Sequence, residues 1–243
     1  PRYPAVADDA AVLHLDGPAE PVSKMEKKHP KNDDLGERLL LQCKDIYIEQ
    51  EDAAAIEEGE QVTLLHWGNA YVDKITKSNG KVTKLTGRLN IEGNVKDTKK
   101  KIHWVPKLDQ QVTSAILREF DHLVTKPKME DDDDLPSLIN PASVVDTQAI
   151  GDPLLKTLPK GCKIQLERRG YYIVDRPAFQ PGQKAEPMVL VKIPDGKSKD
   201  MGMKSKVDPS KLQGAAGQKS EKAKADAGAS PKEKKVNGNV NEK

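Results

Sequence analysis

Along most of the chain, apolar and polar residues alternate over short runs, the period of strands with one buried face. After an extended lead-in rich in proline (Pro1, Pro4, Pro18, Pro21), one strand is expected over Ala11–Leu15. Lys27–Gly36 is a polar loop punctuated by Pro30, Asn32 and Gly36. Arg38–Gln42 resumes apolar character, and Ile46 and Ile48 alternate with Tyr47 and Glu49. Glu51–Gly59 predicts a short helix, with Asp52 as its cap and Gly59 as its stop. Strands follow at Gln61–Leu65 and Tyr71–Ile75, around the break Trp67-Gly68-Asn69. Ser78-Asn-Gly-Lys81 predicts a tight hairpin, since Asn-Gly tolerates the positive φ such a turn demands. Lys81–Leu89 is its partner strand, Glu92–Asn94 turns again, and Lys99–Val105 is a further strand. Val112–Phe120 fits either a strand or a short helix, and residues 130–141 form an acidic loop. Gly151–Lys156 predicts one helical turn, capped by Asp152 with Pro153 at its first position.

The stretch Lys163–Asp175 is the most informative. Ile164 and Leu166 alternate with Lys163, Gln165 and Glu167, and Tyr172 and Val174 keep that parity beyond Gly170. Arg168 then falls among the buried positions, where a guanidinium needs a partner. Either Gly170 breaks the register in a hairpin or bulge, or Arg168 faces a cavity. A proline-rich connector, Pro177–Pro187, leads to a last strand, Met188–Ile193. Many short strands with little helix indicate an all-β sandwich or barrels. No repeat of fixed period is apparent.

Composition changes after Gly196. Residues 197–243 hold 12 Lys and 6 acidic residues, with no aromatic and no Ile. They are expected to be disordered, because they bury too little apolar area to offset ordering. The overall charge of +2 therefore hides a body with 28 basic and 32 acidic residues. Such a body binds nucleic acid only through a local basic patch. No run reaches the ~18 apolar residues of a membrane span, and no signal peptide is evident. The first residue is Pro1, so a piece of a longer protein is expected. Two separated cysteines, Cys43 and Cys162, argue for a reduced intracellular setting without a disulfide framework.

No Ser/His/Asp arrangement and no phosphate-cradling glycine loop stands out. The five histidines are scattered; His66 and His103, each before a tryptophan, are expected to lie in strands and serve structure. Asp131–Asp134 lacks the spacing and glycine of a calcium loop. By residue chemistry alone the chain reads as a binding module.

Gly151-Asp-Pro-Leu-Leu-Lys156 followed by Gln165-Leu-Glu-Arg-Arg-Gly-Tyr-Tyr172 resembles the anticodon-binding region of the glutamyl- and glutaminyl-tRNA synthetases of the eukaryotic and archaeal type. His29-Pro-Lys-Asn-Asp-Asp-Leu-Gly36 resembles that family's His-Pro-Lys-Asn loop, and Ile102-His-Trp-Val105 a strand of both branches. Val62–Asn69, ending in Trp-Gly-Asn, is similar to the glutamyl branch, and Pro1-Arg-Tyr3 resembles the segment just after the catalytic domain. The resemblance runs from Pro1 to about Gly196.

It implies a class I ligase that joins glutamate to its tRNA with ATP. The implied architecture is two antiparallel β-barrels, residues 24–110 and 111–196, with strands exchanged between them. Residues 1–23 would lead in from a catalytic domain, and 197–243 would be a disordered basic tail. The two catalytic signatures of class I are not found, so these residues alone are expected to be inactive. ATP and magnesium would bind in the catalytic domain and no cofactor here. Carried over by position, Arg38, Gln165 and Arg168 would contact the middle anticodon base, a uracil for glutamate and glutamine alike. Uracil offers two carbonyl acceptors and one N–H to such side chains. Arg169, Lys163, Tyr171 and Arg118 are candidates for phosphate or stacking contacts; Trp67 and Trp104 are expected in the core. The implied partner is tRNA(Glu) in the cytoplasm, with other synthetases of a multi-synthetase complex as further candidates and neither DNA nor membrane. The parent is expected to be a glutamate–tRNA ligase, stand-alone or fused to a prolyl-tRNA synthetase. The alternatives are a glutamine–tRNA ligase and a non-catalytic interaction scaffold.

Overall fold

A computed structural model describes residues 1–108, 111–126, 128–179, 182 and 186–194. The Lys-rich tail lies outside the described residues. In chain order the strands are β1 (Arg2–Tyr3), β2 (Ala5–Ala7), β3 (Ala11–Leu15), β4 (Val22–Lys27), β5 (Glu37–Gln42) and β6 (Asp45–Ile48). Helix α1 (Gln50–Ala55) precedes β7 (Gln61–Leu64), β8 (Gly68–Ser78), β9 (Lys81–Asn90), β10 (Lys101–Ile102) and β11 (Trp104–Pro106). Then come β12 (Thr113–Phe120), α2 (Leu135–Leu138), β13 (Val144–Gly151), a 3-10 helix (Pro153–Thr157), β14 (Lys163–Leu166), β15 (Gly170–Arg176) and β16 (Met188–Ile193). The fold is all-β, as the alternation predicts.

Two seven-stranded sheets carry it, in the orders β10-β7-β8-β9-β3-β6-β11 and β1-β14-β15-β16-β12-β13-β2. In each, the two edge strands are separated by one residue in sequence, His103 in the first sheet and Pro4 in the second. One broken strand thus serves both edges and curls the sheet into a barrel, which removes the exposed edges. Pro4 marks such a break because it has no N–H to donate to a ladder; its carbonyl still accepts from the Asp152 amide at 3.0 Å. The segment β1–β2 precedes the first barrel yet closes the second, and β10–β11 precedes the second yet closes the first. Each barrel also contains two parallel pairings, for example β3 with β9 and β12 with β16, so the expected antiparallel barrels are mixed. A two-stranded ribbon, β4–β5, stands apart from both sheets.

The two sheet orders match strand for strand, which is an internal duplication that the sequence does not reveal. Its signature is in the backbone. Leu64 pairs with Gly68 and Leu166 with Gly170. Each intervening three-residue loop is closed by an N–H···O bond of 3.1 Å, and its middle residue is left-handed: His66 at φ 64° and Arg168 at φ 61°. What repeats is parity and turn geometry, for which many residues serve equally well.

Other expectations change. His66 lies in a hairpin loop and His103 at a strand break, so Lys99–Val105 is two short strands with different partners. Val112–Phe120 is a strand, and the acidic loop includes the turn of helix α2. Helix α1 starts one turn earlier than predicted, with Glu49 at its cap position and Asp52 inside it. Asp152 does cap its 3-10 helix, accepting from Leu154. The Asn79-Gly80 turn forms as expected, with φ of 50° and 78°. Each barrel has its own core; Leu13, Ile46, Leu64, Leu85 and Trp104 anchor the first, and Leu117, Leu166, Tyr172 and Leu190 the second.

Candidate nucleic-acid interface

Where the barrels meet, charged side chains replace the apolar core. Arg38 on β5 is 3% exposed. Its guanidinium donates to Asp152 at 2.7 Å, lies 3.8 Å from Glu167, and sits over the Tyr3 ring at 5.8 Å. Burial pushes the Asp152 carboxyl up from its usual range, against the pull of Arg38 and of the Leu154 N–H. Burial also pushes Glu167 up, but the His66 hydrogen bond and the charges of His66 and Arg38 outweigh it and hold this carboxyl low. His66 stands between two carboxylates, with Nε2 2.9 Å from Glu167 and Nδ1 3.5 Å from Glu26. Both ring nitrogens therefore face acceptors. The Glu167 bond, outweighing desolvation, raises the imidazole pKa above 6.5.

The β14–β15 hairpin brings Arg168 and Arg169 to the first barrel. The parity question is settled by the turn: Gly170, at φ 110°, ends the alternation, and Arg168 heads a loop. Its guanidinium forms a two-pronged pair with Asp52 at 2.5 and 2.8 Å. It also approaches His103 Nδ1 at 3.3 Å. An arginine only donates, so that nitrogen accepts, and the His103 Nε2–H is left for the Ala5 carbonyl at 3.0 Å and the Glu49 carboxylate at 3.4 Å. Arg169 donates through Nε to Glu49 at 3.0 Å and through Nη2 to the same oxygen. Burial raises the Glu49 carboxyl, but His103 and Arg169 overcome it and bring it to about 2.

The difference in exposure matters. The Arg38 side chain is 1% exposed and that of Arg168 43%. Asp152, the partner of Arg38, is 4% exposed and Asp52, the partner of Arg168, 14%; the fully buried pair costs several kcal/mol to break, and the half-open one less.

Gln165 points outward from β14, because Ile164 and Leu166 are turned into the core. Across the strands it lies opposite Arg2 on β1 and Tyr171 on β15. Arg2 Nε donates to Gln165 Oε1 at 2.8 Å, and Tyr171 is 50% exposed. Gln165, Arg168, Arg169, Tyr171 and the exposed Lys163 therefore share one hairpin, and Arg38 reaches it from below through Glu167. Arg118 does not join them: on β12 it pairs with Asp146 at 2.6 and 2.8 Å. Sequence reasoning missed Arg2, Glu49 and Glu167, and took Asp52 for a cap. None of these carries a local signal, because their partners lie on the other barrel or across the sheet. In the acidic loop, Lys126 reaches both Glu130 and Asp133. Trp104 is buried as expected, and Trp67 packs on it with ring centroids 4.9 Å apart. No described helix is long and apolar enough to cross a membrane.

Two family models match the chain, both described as tRNA synthetases class I (E and Q), anti-codon binding domain. One covers residues 1–92 and the other 101–175. Among curated relatives, the cytoplasmic glutamate–tRNA ligase of Arabidopsis thaliana is 44% identical over 201 residues, 82% of this chain and 27% of the relative. The cytoplasmic glutamate–tRNA ligase of Saccharomyces cerevisiae is 37% identical over the same shares. The bifunctional glutamate/proline–tRNA ligase of Cricetulus griseus is 36% identical over 96% of this chain and 15% of its own length. The chain thus spans about a quarter or less of these relatives. With the two matches lying end to end along the paired barrels, the chain belongs to the class I tRNA synthetases for glutamate and glutamine, as their anticodon-binding region.

Proposed function

We propose that this chain recognises the anticodon of tRNA(Glu) for a cytoplasmic glutamate–tRNA ligase. On this reading the parent attaches glutamate to the tRNA in a catalytic domain that binds ATP and magnesium outside these residues. The observation that carries it is the single hairpin bearing Gln165, Arg168 and Tyr171, exposed beside the seam of the two matched barrels. Arg168 and Gln165 supply donors to the carbonyls of an unstacked uracil, and Arg168, the more exposed member of its pair with Asp52, exchanges that carboxylate for the base. Arg38, expected to contact the base, is 1% exposed at its side chain and serves instead by holding Asp152, the cap of the 3-10 helix, and Glu167, in the loop of the hairpin. Glutamate rather than glutamine is supported by the names of the relatives above and by Trp67-Gly68-Asn69. A bifunctional parent, and with it a place among other synthetases, is the second reading; the hamster match extends over 96% of the chain, into the Lys-rich segment.

The test is a titration of the 243-residue chain with transcripts carrying a glutamate anticodon or one with its middle uracil changed. Wild type is expected to favour the uracil about tenfold or more, the scale of one good base contact. Arg168→Ala should abolish the preference and leave weaker, salt-sensitive binding. Wild-type binding indifferent to the middle base would refute the site; no binding at low salt would refute the function.

A further inference from the structure

The β12–β13 hairpin runs past the rim of its barrel. Its regular pairing ends at Phe120 and Val144, yet the two chains stay together further out. The Asp121 amide donates to the Ser143 carbonyl at 2.8 Å, Asn140 to Leu123 at 2.8 Å and Thr125 to Leu138 at 2.9 Å, and Val124 bridges Ile139. On the barrel the other side of β12 is covered by β16, which runs parallel to it with Arg118 level with Val191. β16 stops at Ile193, level with Phe120. Beyond that level no strand among the described residues pairs with this side. Val124 marks the open edge. The Thr125 N–H and Leu123 carbonyl point at the partner chain, so the N–H and carbonyl of Val124 itself point the opposite way. Neither has a hydrogen-bond partner among the described residues.

The side chains around this edge are apolar and uncovered. Phe120 and Val144, direct cross-strand neighbours, are 62% and 47% exposed; Leu123 is 75% exposed and Ile139 56%. An apolar, unpaired edge is a template for a strand from another chain. The charge around it selects which. Residues 119–146 hold eight acidic residues against two lysines, and one of these, Lys126, is already taken by Glu130 and Asp133. A phosphate backbone, or a second copy of the same edge, meets like charge here and is repelled; lysine and arginine are attracted.

We infer that this open edge takes up an extended segment of a partner protein in which apolar and basic residues alternate, adding it as a third strand. Main-chain hydrogen bonds to Val124 attach it. Apolar side chains at every second position cover the Phe120 face, and the basic ones between them meet the acidic loop. None of these residues belongs to the candidate anticodon site, so the two readings stand or fall separately.

The test is fluorescence anisotropy of a labelled Leu-Lys-Leu-Lys-Leu-Lys-Leu peptide titrated with the 243-residue chain. The same peptide with serine for leucine keeps the charge without the apolar face, and with glutamate for lysine it keeps the apolar face with the opposite charge. The Leu-Lys peptide is expected to bind about tenfold or more tightly than either, the scale of one buried apolar anchor. Phe120→Ser should lose most of that advantage. Val124→Pro removes the outward N–H and should weaken binding about tenfold, whereas Val124→Ala, which keeps it, should not. Should Val124→Pro fail to fold, hydrogen exchange of wild type decides the matter: saturating peptide should slow exchange of the Val124 amide. Equal binding of the three peptides, binding indifferent to Phe120→Ser, or a Val124 amide that the peptide leaves unprotected would overturn the inference. A tRNA transcript in place of the peptide should leave that amide unchanged; if the transcript protects it, the edge belongs to RNA and the inference is overturned.

Discussion

Removing the Arg38 side chain should be the most destabilising single truncation at the barrel seam. Arg38 and Asp152 are 1% and 4% exposed at the side chain and 2.7 Å apart, so solvent screens neither. In Arg38→Ala, Asp152 keeps only the Leu154 N–H and stands near Glu167, whose charge already works against its ionisation. Glu167 loses one cation but keeps His66. Deleting one member of a buried pair costs about 3–5 kcal/mol, because the other is left charged in a poorly solvated place. Urea unfolding at pH 7, followed by the fluorescence of buried Trp104, should show a loss of that size. Adding Asp152→Asn removes the stranded charge and should return about 1 kcal/mol or more, a coupling typical of groups in contact. Without Arg38 both carboxyls titrate higher than in wild type, so the cost should shrink as pH falls and they protonate. A cost below about 1 kcal/mol, or one independent of pH, would refute the buried-pair reasoning.

Two further predictions concern titration. The folded-state pKa of His66 is raised above 6.5, so its stabilisation is complete below pH 6.5 and fades as pH rises through the raised value. Urea midpoints of wild type and His66→Gln, measured from acid to alkaline pH, should therefore converge at the alkaline end; parallel curves would contradict the Glu167 pairing. Glu49 behaves oppositely: its carboxyl is lowered from 4.5 to about 2, so its contribution is full above pH 4.5 and lost as pH falls toward 2. Glu49→Gln should cost about 2–3 kcal/mol at pH 7, after allowance for partial exposure, and converge with wild type in acid.

Period-two alternation made the strands legible, and Asn79-Gly80 and Asp152-Pro153 made their turns legible, because both signals are local. The same alternation left Arg168 open between a broken register at Gly170 and a cavity, since it carries no record of where a strand ends. The positive φ of Gly170 ends the alternation. Alternation did not assign β1–β2 to the second barrel, because hydrophobic parity says which face is buried but not which sheet buries it; strand exchange came only from the family resemblance. The duplication was hidden for a related reason: Thr63 and Gln165 share a place in the fold and differ in chemistry. For the candidate site, Gln165 and Arg168 came from the family resemblance and Tyr171 as a stacking candidate beside them, and one hairpin holds all three. Glu49, Asp52 and Arg2 were not found, because each meets its partner across more than a hundred residues of chain.

The central claim is that the Lys163–Arg176 hairpin reads the middle base of the anticodon. Placing 4-thiouridine at that one position of a tRNA(Glu) transcript, irradiating the complex with this chain and mapping the joined peptide tests it most directly. Attachment within β14, β15 or the loop between them is the predicted result. Attachment confined to the β12–β13 strands or to the Lys-rich tail, with the hairpin unlabelled, would contradict it.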